Sequence, residues 1–272
     1  MTRIAVVQFP GSNCESETAA ALRQAGAEPT IARWNTRSEI WDEFDGFVLP
    51  GGFSYEDRVR AGAVAARHAV LDAIAAGADA GKPVLGVCNG AQILVEAGLV
   101  PGIEPGRVEV ALAANKTMGW RGYFCGWVHV RVERGFTNDL APGALLPLPV
   151  GHGEGRFAAR PEVFEDLARR NQVAFRYTGP DGEPARGFPQ NPNGSMQDIA
   201  GLCDPSGSVV ALMPHPERAA WLYQVPEATT GWWGERRHAA DTSQQFTAPG
   251  PGAAVYRSFV RRAAAATSGR MR

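Results

Sequence analysis

The sequence predicts an α/β protein with an open, mostly parallel, doubly wound sheet, helices on both faces and an antiparallel β-rich extension. Two observations lead to this prediction. In the first hundred residues, short apolar runs alternate with segments of helical pattern, the order that produces parallel strands joined by crossover helices. After Pro101 the pattern changes to β-rich, more polar segments, which indicates the extension.

The elements of the first half follow from apolar runs and the residues that end them. A strand at 3–9 ends at Pro10-Gly11, which is a turn signal. Ser12 or Asn13 can cap the helix that follows, and this helix stops near Gly26. Further strands are predicted at 28–33, 47–49 and 83–87, and helices at 60–77 and 89–98.

In the second half, strands are predicted at 108–112, 123–133, 145–150, 173–177 and 208–213, with a helix at 161–170. Residues 219–252 show no clear periodicity and are predicted to form an irregular insertion. A C-terminal helix is predicted at 253–266. There is no internal repeat and no linker, so residues 1–272 are expected to form a single domain.

The composition argues against several classes of protein. The 272 residues include 27 basic and 28 acidic side chains, and a net charge of −1 disfavours sequence-independent nucleic-acid binding, which needs many contacts from Lys or Arg to phosphates. The N-terminal apolar run is too short for a signal peptide, and no stretch is long enough to span a membrane. The four cysteines are far apart and form no C-x-x-C pair, so neither a disulfide framework nor a cysteine-rich zinc site is expected, and a cytoplasmic location follows.

The segment around Cys88 carries the sharpest chemical signal. A strand runs directly into Cys88 and a helix starts at the next residue, with Gly86 and Gly90 on either side. A nucleophile elbow requires small residues at those two positions because the turn from strand to helix is tight. It places the sulfur at a helix N-terminus, where free N–H groups and the helix dipole stabilise a thiolate. We therefore predict that Cys88 is a nucleophile, the alternative being an inert cysteine of the core.

Cys14 is the rival candidate, because it also lies between a strand and a helix. Ser12 and Ser16 occupy the flanking positions, so the small residues are present but no glycine is. The adjacent Glu15 disfavours a thiolate. Cys14 is accordingly predicted to be a structural or binding-loop cysteine.

His215 and Glu217 are the predicted partners of the nucleophile. A catalytic cysteine normally requires a histidine to accept its proton and a third group to orient that histidine. His215 follows the apolar strand 208–213, so it lies at the carboxyl edge of the sheet, where Cys88 is also expected. Glu217 is two residues further on and shares a face with His215 in an extended chain.

A second pair with the same spacing, His152 and Glu154, lies in the glycine-rich run 151–155. This run is predicted to be a mobile loop that contacts a ligand or a partner. Two His and two Glu side chains could also hold a metal ion, but such a site would leave Cys88 without a role, and no metal is predicted.

Donors for a developing oxyanion are predicted at two turns. Gly51 and Gly52 follow the strand at 47–49, and glycine frees the backbone for an unusual conformation. The N–H of Gly52 and that of Asn89, the residue after the nucleophile, form the natural pair. The alternative for the glycines is an ordinary tight turn.

Together these residues resemble the class I, triad-type glutamine amidotransferases. The segments that match this family in order and spacing are Gly86-x-Cys88-x-Gly90-x-Gln92, Pro50-Gly51-Gly52 and His215-Pro216-Glu217. Within the family, finer features are similar to the glutaminase subunits of purine biosynthesis. These features lie at 11–15, 51–57, 87–90, 152–157 and 191–195.

The resemblance implies a role for each matching residue. Cys88 would attack the side-chain amide of glutamine and form a glutamyl thioester, with His215 as general acid and base and Glu217 as its orienting partner. The remaining residues would act as oxyanion donors (Gly52, Asn89), as substrate-binding residues (Gln92, Gly51) and as contacts of a loop or partner (His152, Glu154, Arg156).

The resemblance also implies partners. The ammonia would pass to a separate synthetase subunit, which would bind ATP and Mg²⁺ and convert formylglycinamide ribonucleotide to formylglycinamidine ribonucleotide. A small accessory subunit would complete the assembly, and no cofactor is expected on this chain. Two alternatives stay open from the sequence alone: another Cys-His-acid α/β hydrolase, and a catalytically silent scaffold that binds a partner.

Overall fold

The computed structural model describes residues 1–104, 106–117 and 119–270. The strands among these residues are β1 (Arg3–Gln8), β2 (Glu28–Arg33), β3 (Gly46–Leu49), β4 (Val84–Val87), β5 (Ala111–Ala113), β6 (Lys116–Thr117), β7 (Trp120–Arg121), β8 (Phe124–Val132), β9 (Leu145–His152), β10 (Arg156–Ala158), β11 (Val173–Thr178), β12 (Ile199–Cys203) and β13 (Val209–Leu212).

A nine-stranded sheet with the order β2-β1-β3-β4-β13-β12-β11-β8-β9 forms the centre of the described chain. The five strands from β2 to β13 are parallel to one another, and the apolar residues of β1, β3, β4 and β13 are buried, whereas the edge strand β2 is mostly exposed. From β13 onwards the strands pair antiparallel, through β12, β11, β8 and β9. The predicted doubly wound sheet with an antiparallel extension is confirmed, and the extension continues the same sheet.

The helices of the described chain are α1 (Glu15–Gln24), α2 (Val70–Asp79), α3 (Asn89–Glu96), α4 (Pro161–Arg169), α5 (Gly231–His238), α6 (Ser243–Phe246) and α7 (Ala253–Arg270). The connection through α1 runs from β1 to one side, and the connection through α2 runs from β3 to the other. Because such crossovers are right-handed, opposite directions place the two helices on opposite faces of the sheet. None of the helices in the described ranges is long and apolar enough to cross a lipid bilayer.

The structure corrects the predicted helix at 60–77. The α-helix begins only at Val70, and residues 60–69 form turns and a short 3₁₀ segment. Gly62 has φ +79°, and a Cβ there would lie 2.7 Å from the backbone of Gln92. Close packing of this segment on α3 therefore outweighs the helical propensity of its alanines. The start of α1 also differs, since Cys14 occupies its N-cap and the Ser12 hydroxyl accepts a hydrogen bond from the Phe9 N–H.

The segment 219–252 is not irregular throughout, because it contains α5 and α6. Cation–π contacts replace a regular apolar stripe: Arg236 lies over Trp232 and Trp233, and Arg237 over Phe246. The segment returns to its starting point, where Gly250 and Gly252 donate N–H groups to the carbonyls of Ala220 and Ala219. The predicted C-terminal helix extends further than expected, to residue 270.

Candidate active site

The carboxyl ends of four parallel strands bring the predicted site residues together. β1 leads into the loop 10–14, β3 into the glycines 51–52, β4 into Cys88 and β13 towards His215. β1 and β3 are neighbours whose connections leave in opposite directions, so they flank a topological switch point of the sheet. Open α/β sheets bind their ligands in the crevice at that point.

Cys88 forms the tight elbow that its glycine neighbours predict. Its φ of +50° is unusual for a residue with a side chain, and α3 begins at the next residue. A Cβ on Gly90 would lie 1.9 Å from the carbonyl oxygen of Leu49, and one on Gly86 would lie 2.5 Å from the carbonyl oxygen of Gly90. Only glycine fits at these two positions. The Cys88 N–H donates to the Leu212 carbonyl at 2.8 Å, which fixes the elbow to the end of β13.

The predicted base, His215, and its predicted orienting group, Glu217, form a buried pair. His215 Nδ1 and Glu217 Oε1 are 2.5 Å apart, and both side chains are almost completely buried. The His215 N–H donates to the Pro149 carbonyl at 2.8 Å, so β9 helps to hold the segment in place. The hydroxyl of Tyr256 on α7 donates to Glu217 Oε2 at 3.5 Å, so the C-terminal helix supports the carboxylate.

The charges around His215 favour its protonated form. Burial lowers the pKa of His215, but the charges of Glu217 and Cys88 and hydrogen bonding with the thiols of Cys14 and Cys88 outweigh burial and raise that pKa well above its ordinary value. The Cys88 sulfur lies 3.6 Å from the Gly151 carbonyl oxygen. An imidazole that holds a proton beside a thiol nucleophile is suited to protonate a leaving amine.

The predicted oxyanion loop at Gly51-Gly52 is held by the loop that follows β1. The Gly51 carbonyl accepts hydrogen bonds from the N–H groups of Asn13 and Cys14, each at 3.2 Å. The N–H of a trans peptide points opposite to its carbonyl, so the Gly52 N–H faces away from that loop. This orientation leaves it free to donate elsewhere, as an oxyanion donor must.

Asn89 and Gln92 connect the nucleophile helix to its surroundings. Asn89 accepts a hydrogen bond from the Ser54 N–H at 3.0 Å and donates to Gln92 Oε1 at 2.9 Å. Gln92 in turn donates to the Glu154 carbonyl at 2.6 Å. Gln92 therefore joins α3 to the segment after β9, and its contact with a substrate stays a prediction. Burial and the Glu154 charge raise the pKa of the nearby Asp57 to about 6.

The structure contradicts the expectation that 151–155 is a mobile loop. His152 is buried at the end of β9, and its Nδ1 lies 3.3 Å from Asn115 Oδ1. Asn115 also donates to the His152 carbonyl and accepts from the Gly155 N–H. Asn193 fixes the same segment through the Gly155 carbonyl. The run is anchored on buried amides, because glycines that permit mobility also permit this close packing.

His152 is not placed as a catalytic base. Burial, with a smaller contribution from the neighbouring His215, lowers the pKa of His152 to about 3, so it remains neutral. Glu154 accepts a hydrogen bond from the Ala61 N–H, and Arg156 donates to the Ala114 carbonyl. Their role as contacts of a loop or partner stays a prediction.

The alternative metal site built from both His-x-Glu pairs does not form. The one cluster of three or more potential metal ligands in the described residues contains Cys14, His215 and Glu217, and neither His152 nor Glu154. The atoms of that cluster already have partners, since His215 and Glu217 bond each other and an Arg218 N–H donates to the Cys14 sulfur.

Comparison with known proteins decides the family. Residues 1–248 match the family of CobB/CobQ-like glutamine amidotransferase domains. Phosphoribosylformylglycinamidine synthase subunit PurQ of Methanothrix thermoacetophila is 45% identical over 235 residues, which cover 82% of this chain and 89% of the relative. The same subunit of Thermomicrobium roseum is 46% identical over 220 residues, 80% of this chain and 87% of the relative. The chain belongs to the PurQ family of glutamine amidotransferases.

A solved structure supports this membership. The structure of PurLQS from Thermotoga maritima matches with a TM-score of 0.69 and 32% identity, covering 96% of this chain and 98% of that chain. The resemblance inferred from the motifs is therefore confirmed at the level of the family and of the fold.

Sequence reasoning missed the Arg218 and Tyr123 side chains at this PurQ-family site, and it missed the contact of Cys14 with His215. Cys14 lies beside His215, although 201 positions separate them, and Arg218 Nη2 donates to its sulfur at 3.0 Å. Tyr123 is half-exposed, and burial together with the charges of Cys88 and other neighbours raises the pKa of its hydroxyl. Its ring lies 6.5 Å from that of Phe53, so the two aromatic rings lie next to each other. One feature of the sequence could have predicted that His215 and Cys14 lie close together: both residues follow the ends of parallel strands.

Proposed function

We propose that this chain hydrolyses glutamine to glutamate and ammonia and supplies the ammonia to the synthetase subunit of phosphoribosylformylglycinamidine synthase. That synthetase converts formylglycinamide ribonucleotide to formylglycinamidine ribonucleotide with ATP, in purine biosynthesis. The observation that carries the proposal is the elbow thiol of Cys88 beside the buried His215–Glu217 pair, in a chain that is 45% identical to a PurQ subunit.

The first half of the reaction forms the thioester. The Cys88 sulfur bonds to the amide carbon of glutamine while His215 holds the proton that the thiol has given up. The carbonyl oxygen becomes an oxyanion, which the N–H groups of Gly52 and Asn89 stabilise. The carbon–nitrogen bond then breaks, and the imidazolium of His215 donates its proton to the leaving nitrogen, so that ammonia departs.

The second half releases glutamate. Water attacks the thioester carbon while His215 accepts a proton from it, and the same N–H groups stabilise the second oxyanion. The carbon–sulfur bond breaks, and Cys88 recovers its proton from His215. Glu217 stays ionised throughout and keeps the Nδ1–H of His215 directed at itself, so that Nε2 faces the reacting atoms.

The partners in this proposal follow from the family. The solved relative is PurLQS, which supports an assembly with a PurL synthetase subunit and with a small accessory subunit. We expect ATP and Mg²⁺ on the synthetase, since this sequence has no P-loop or other nucleotide-binding motif. A cytoplasmic location fits the four free thiols of the chain.

One loop near the site is suited to sense the synthetase. Tyr55, Glu56, Asp57 and Val59 all have φ between 53° and 71°, a conformation that costs roughly 1–2 kcal/mol for each L-residue. Val59 is 94% exposed, so this strained run is open to a partner. The neighbouring Ser54 N–H donates to Asn89, so a shift of the run is transmitted to an oxyanion donor.

We therefore expect slow glutamine hydrolysis by the isolated chain and a clear rise with the synthetase and its nucleotide ligands, because docking would complete the oxyanion site. The measurement is glutamate release by the chain alone and in the complex, with the Cys88→Ser variant reporting the background in both conditions. Equal rates in the two conditions would disprove the coupling and leave the assignment of Cys88, His215 and Glu217 intact.

A further inference from the structure

Cys14 lies against the catalytic imidazole, yet the reaction described above gives it no task. Its side chain is completely buried at the N-cap of α1, directly after the loop that follows β1. Its sulfur, a ring nitrogen of His215 and a carboxylate oxygen of Glu217 all lie within 4.8 Å of one another. The imidazole thus has a thiol neighbour besides the nucleophile.

Three contacts fix the position of this second thiol. Arg218 Nη2 donates a hydrogen bond to the Cys14 sulfur at 3.0 Å, and the thiol donates to Asn13 Oδ1 at 3.1 Å. The backbone N–H of Cys14 donates to the Gly51 carbonyl at 3.2 Å. One residue therefore contacts both the base and the oxyanion loop, and Arg218 restrains its sulfur from the solvent side.

The environment keeps Cys14 in its neutral form. Burial raises the pKa of the Cys14 thiol, and the opposing influence of His215 and Arg218 does not overcome burial. A neutral thiol is a weak nucleophile, but its sulfur lone pairs can accept a hydrogen bond from an imidazolium. Hydrogen bonding with Cys14 is also one of the influences that raise the pKa of His215.

We infer, on the basis of the proposed glutaminase function, that Cys14 is a positioning residue that holds the protonated imidazole of His215 in line between Glu217 and Cys88. Arg218 acts one step further out, by fixing the sulfur of Cys14. The effect belongs to the step in which ammonia leaves, because His215 carries its proton there. Binding of glutamine does not depend on it.

Other groups also face His215 and set its titration. Glu217 belongs to its own segment, and Cys88 faces it from the β4–α3 elbow. Arg218, also in that segment, interacts with Cys14 and Glu217. His152 at the end of β9 and Tyr123 before β8 interact with His215 through charge. A change of Cys14 removes one contact from this set and leaves the others in place.

The test compares Cys14→Ala, Cys14→Ser and the unchanged chain in the complex with the synthetase. We expect Cys14→Ala to lower kcat for glutamine roughly two- to tenfold, the effect of one lost polar contact with the strength of a hydrogen bond, at unchanged KM. The limb of the pH–rate profile that reports His215 should move to lower pH, because a contact that raises its pKa is gone. Cys14→Ser should recover part of kcat, since its hydroxyl also accepts a hydrogen bond.

Cys203→Ala is the matched control, because Cys203 is another buried free thiol and its sulfur contacts Arg134 and the Asn171 and Gln172 carbonyls, away from the site. It should leave kcat and the pH profile unchanged. Arg218→Met provides a second route if Cys14→Ala fails to fold, since the Arg218 side chain is 42% exposed. It should lower kcat at unchanged KM, as Cys14→Ala does, and the effects of the two substitutions on kcat should not add.

The outcomes separate this inference from the proposed function. If the unchanged complex releases no glutamate from glutamine, the proposed function fails. If it is active and the Cys14→Ala and Arg218→Met variants keep its kcat and pH profile, the positioning role is wrong. A rise in KM alone would also contradict it, and complete loss of activity in both Cys14 variants would instead point to Cys14 as the nucleophile.

Discussion

Replacement of Cys88 by serine or alanine is expected to abolish glutamine-dependent synthesis, while synthesis driven by added ammonia survives. Only the cleavage of the amide uses the thiol, so ammonia bypasses the missing step. Serine has a similar size, but its hydroxyl is a far weaker nucleophile than a thiol. The positive φ of Cys88 also leaves little room for the elbow to adapt. Glutamate release should fall to the background of the assay.

The measurement is product formation by the complex with glutamine and, separately, with ammonium chloride. Cys203→Ser serves as the control, because it removes a buried thiol away from the site and should preserve both activities. Retained use of glutamine by the Cys88→Ser variant would rule out Cys88 and make Cys14, the other thiol beside His215, the nucleophile.

His215→Ala should be nearly as damaging as the loss of Cys88. General acid–base catalysis contributes roughly 10²–10⁴-fold, and His215 serves in both halves of the reaction. Glu217→Gln should reduce the rate less, because Glu217 acts through the imidazole. Its amide would also lack the charge that raises the pKa of His215.

The measurement is again glutamate release by the complex, together with ammonia-driven synthesis to show that the synthetase is intact. His238→Ala offers a control, since His238 lies on α5 in the segment 219–252 and contacts the Glu227 carbonyl. If His152→Ala stopped hydrolysis and His215→Ala did not, the roles of the two His-x-Glu pairs would be reversed.

The parts of the fold that the sequence predicts well are those governed by local chemistry. The buried strand at 84–87 is a continuous apolar run, and the elbow after it needs Gly86 and Gly90, whose absent side chains leave space for Leu49 and for the turn itself. Such requirements are visible in a single segment of sequence. The same holds for His215. It follows an apolar strand, and the carboxyl ends of parallel strands lie at one edge of the sheet, where Cys88 also lies.

The parts that sequence reasoning missed depend on contacts between distant segments. The alanines after residue 60 have high helical propensity, but the packing of Gly62 on α3 decides their conformation. Strand β12 is short, and its extended conformation is stabilised by pairing with β11 and β13. Helix α5 is stabilised by arginine–aromatic contacts that have no apolar periodicity.

The site shows the same division. Asn115 lies between short strands and has no motif of its own, yet it anchors the segment of His152. The support of Glu217 by Tyr256 requires α7 to pack behind the active site. The sequence distinguishes Cys14 from Cys88 by glycine spacing, but only the fold shows that both thiols reach one histidine.

The identity of the nucleophile is the central claim, and a glutamine-analogue electrophile tests it most directly. The unchanged chain, in the complex with the synthetase, would be treated with the reagent and its cysteine peptides analysed by mass spectrometry. We expect a single adduct, on the peptide that contains Cys88, and its suppression by excess glutamine. An adduct on Cys14 with Cys88 unmodified, or no adduct on either thiol, would contradict the account.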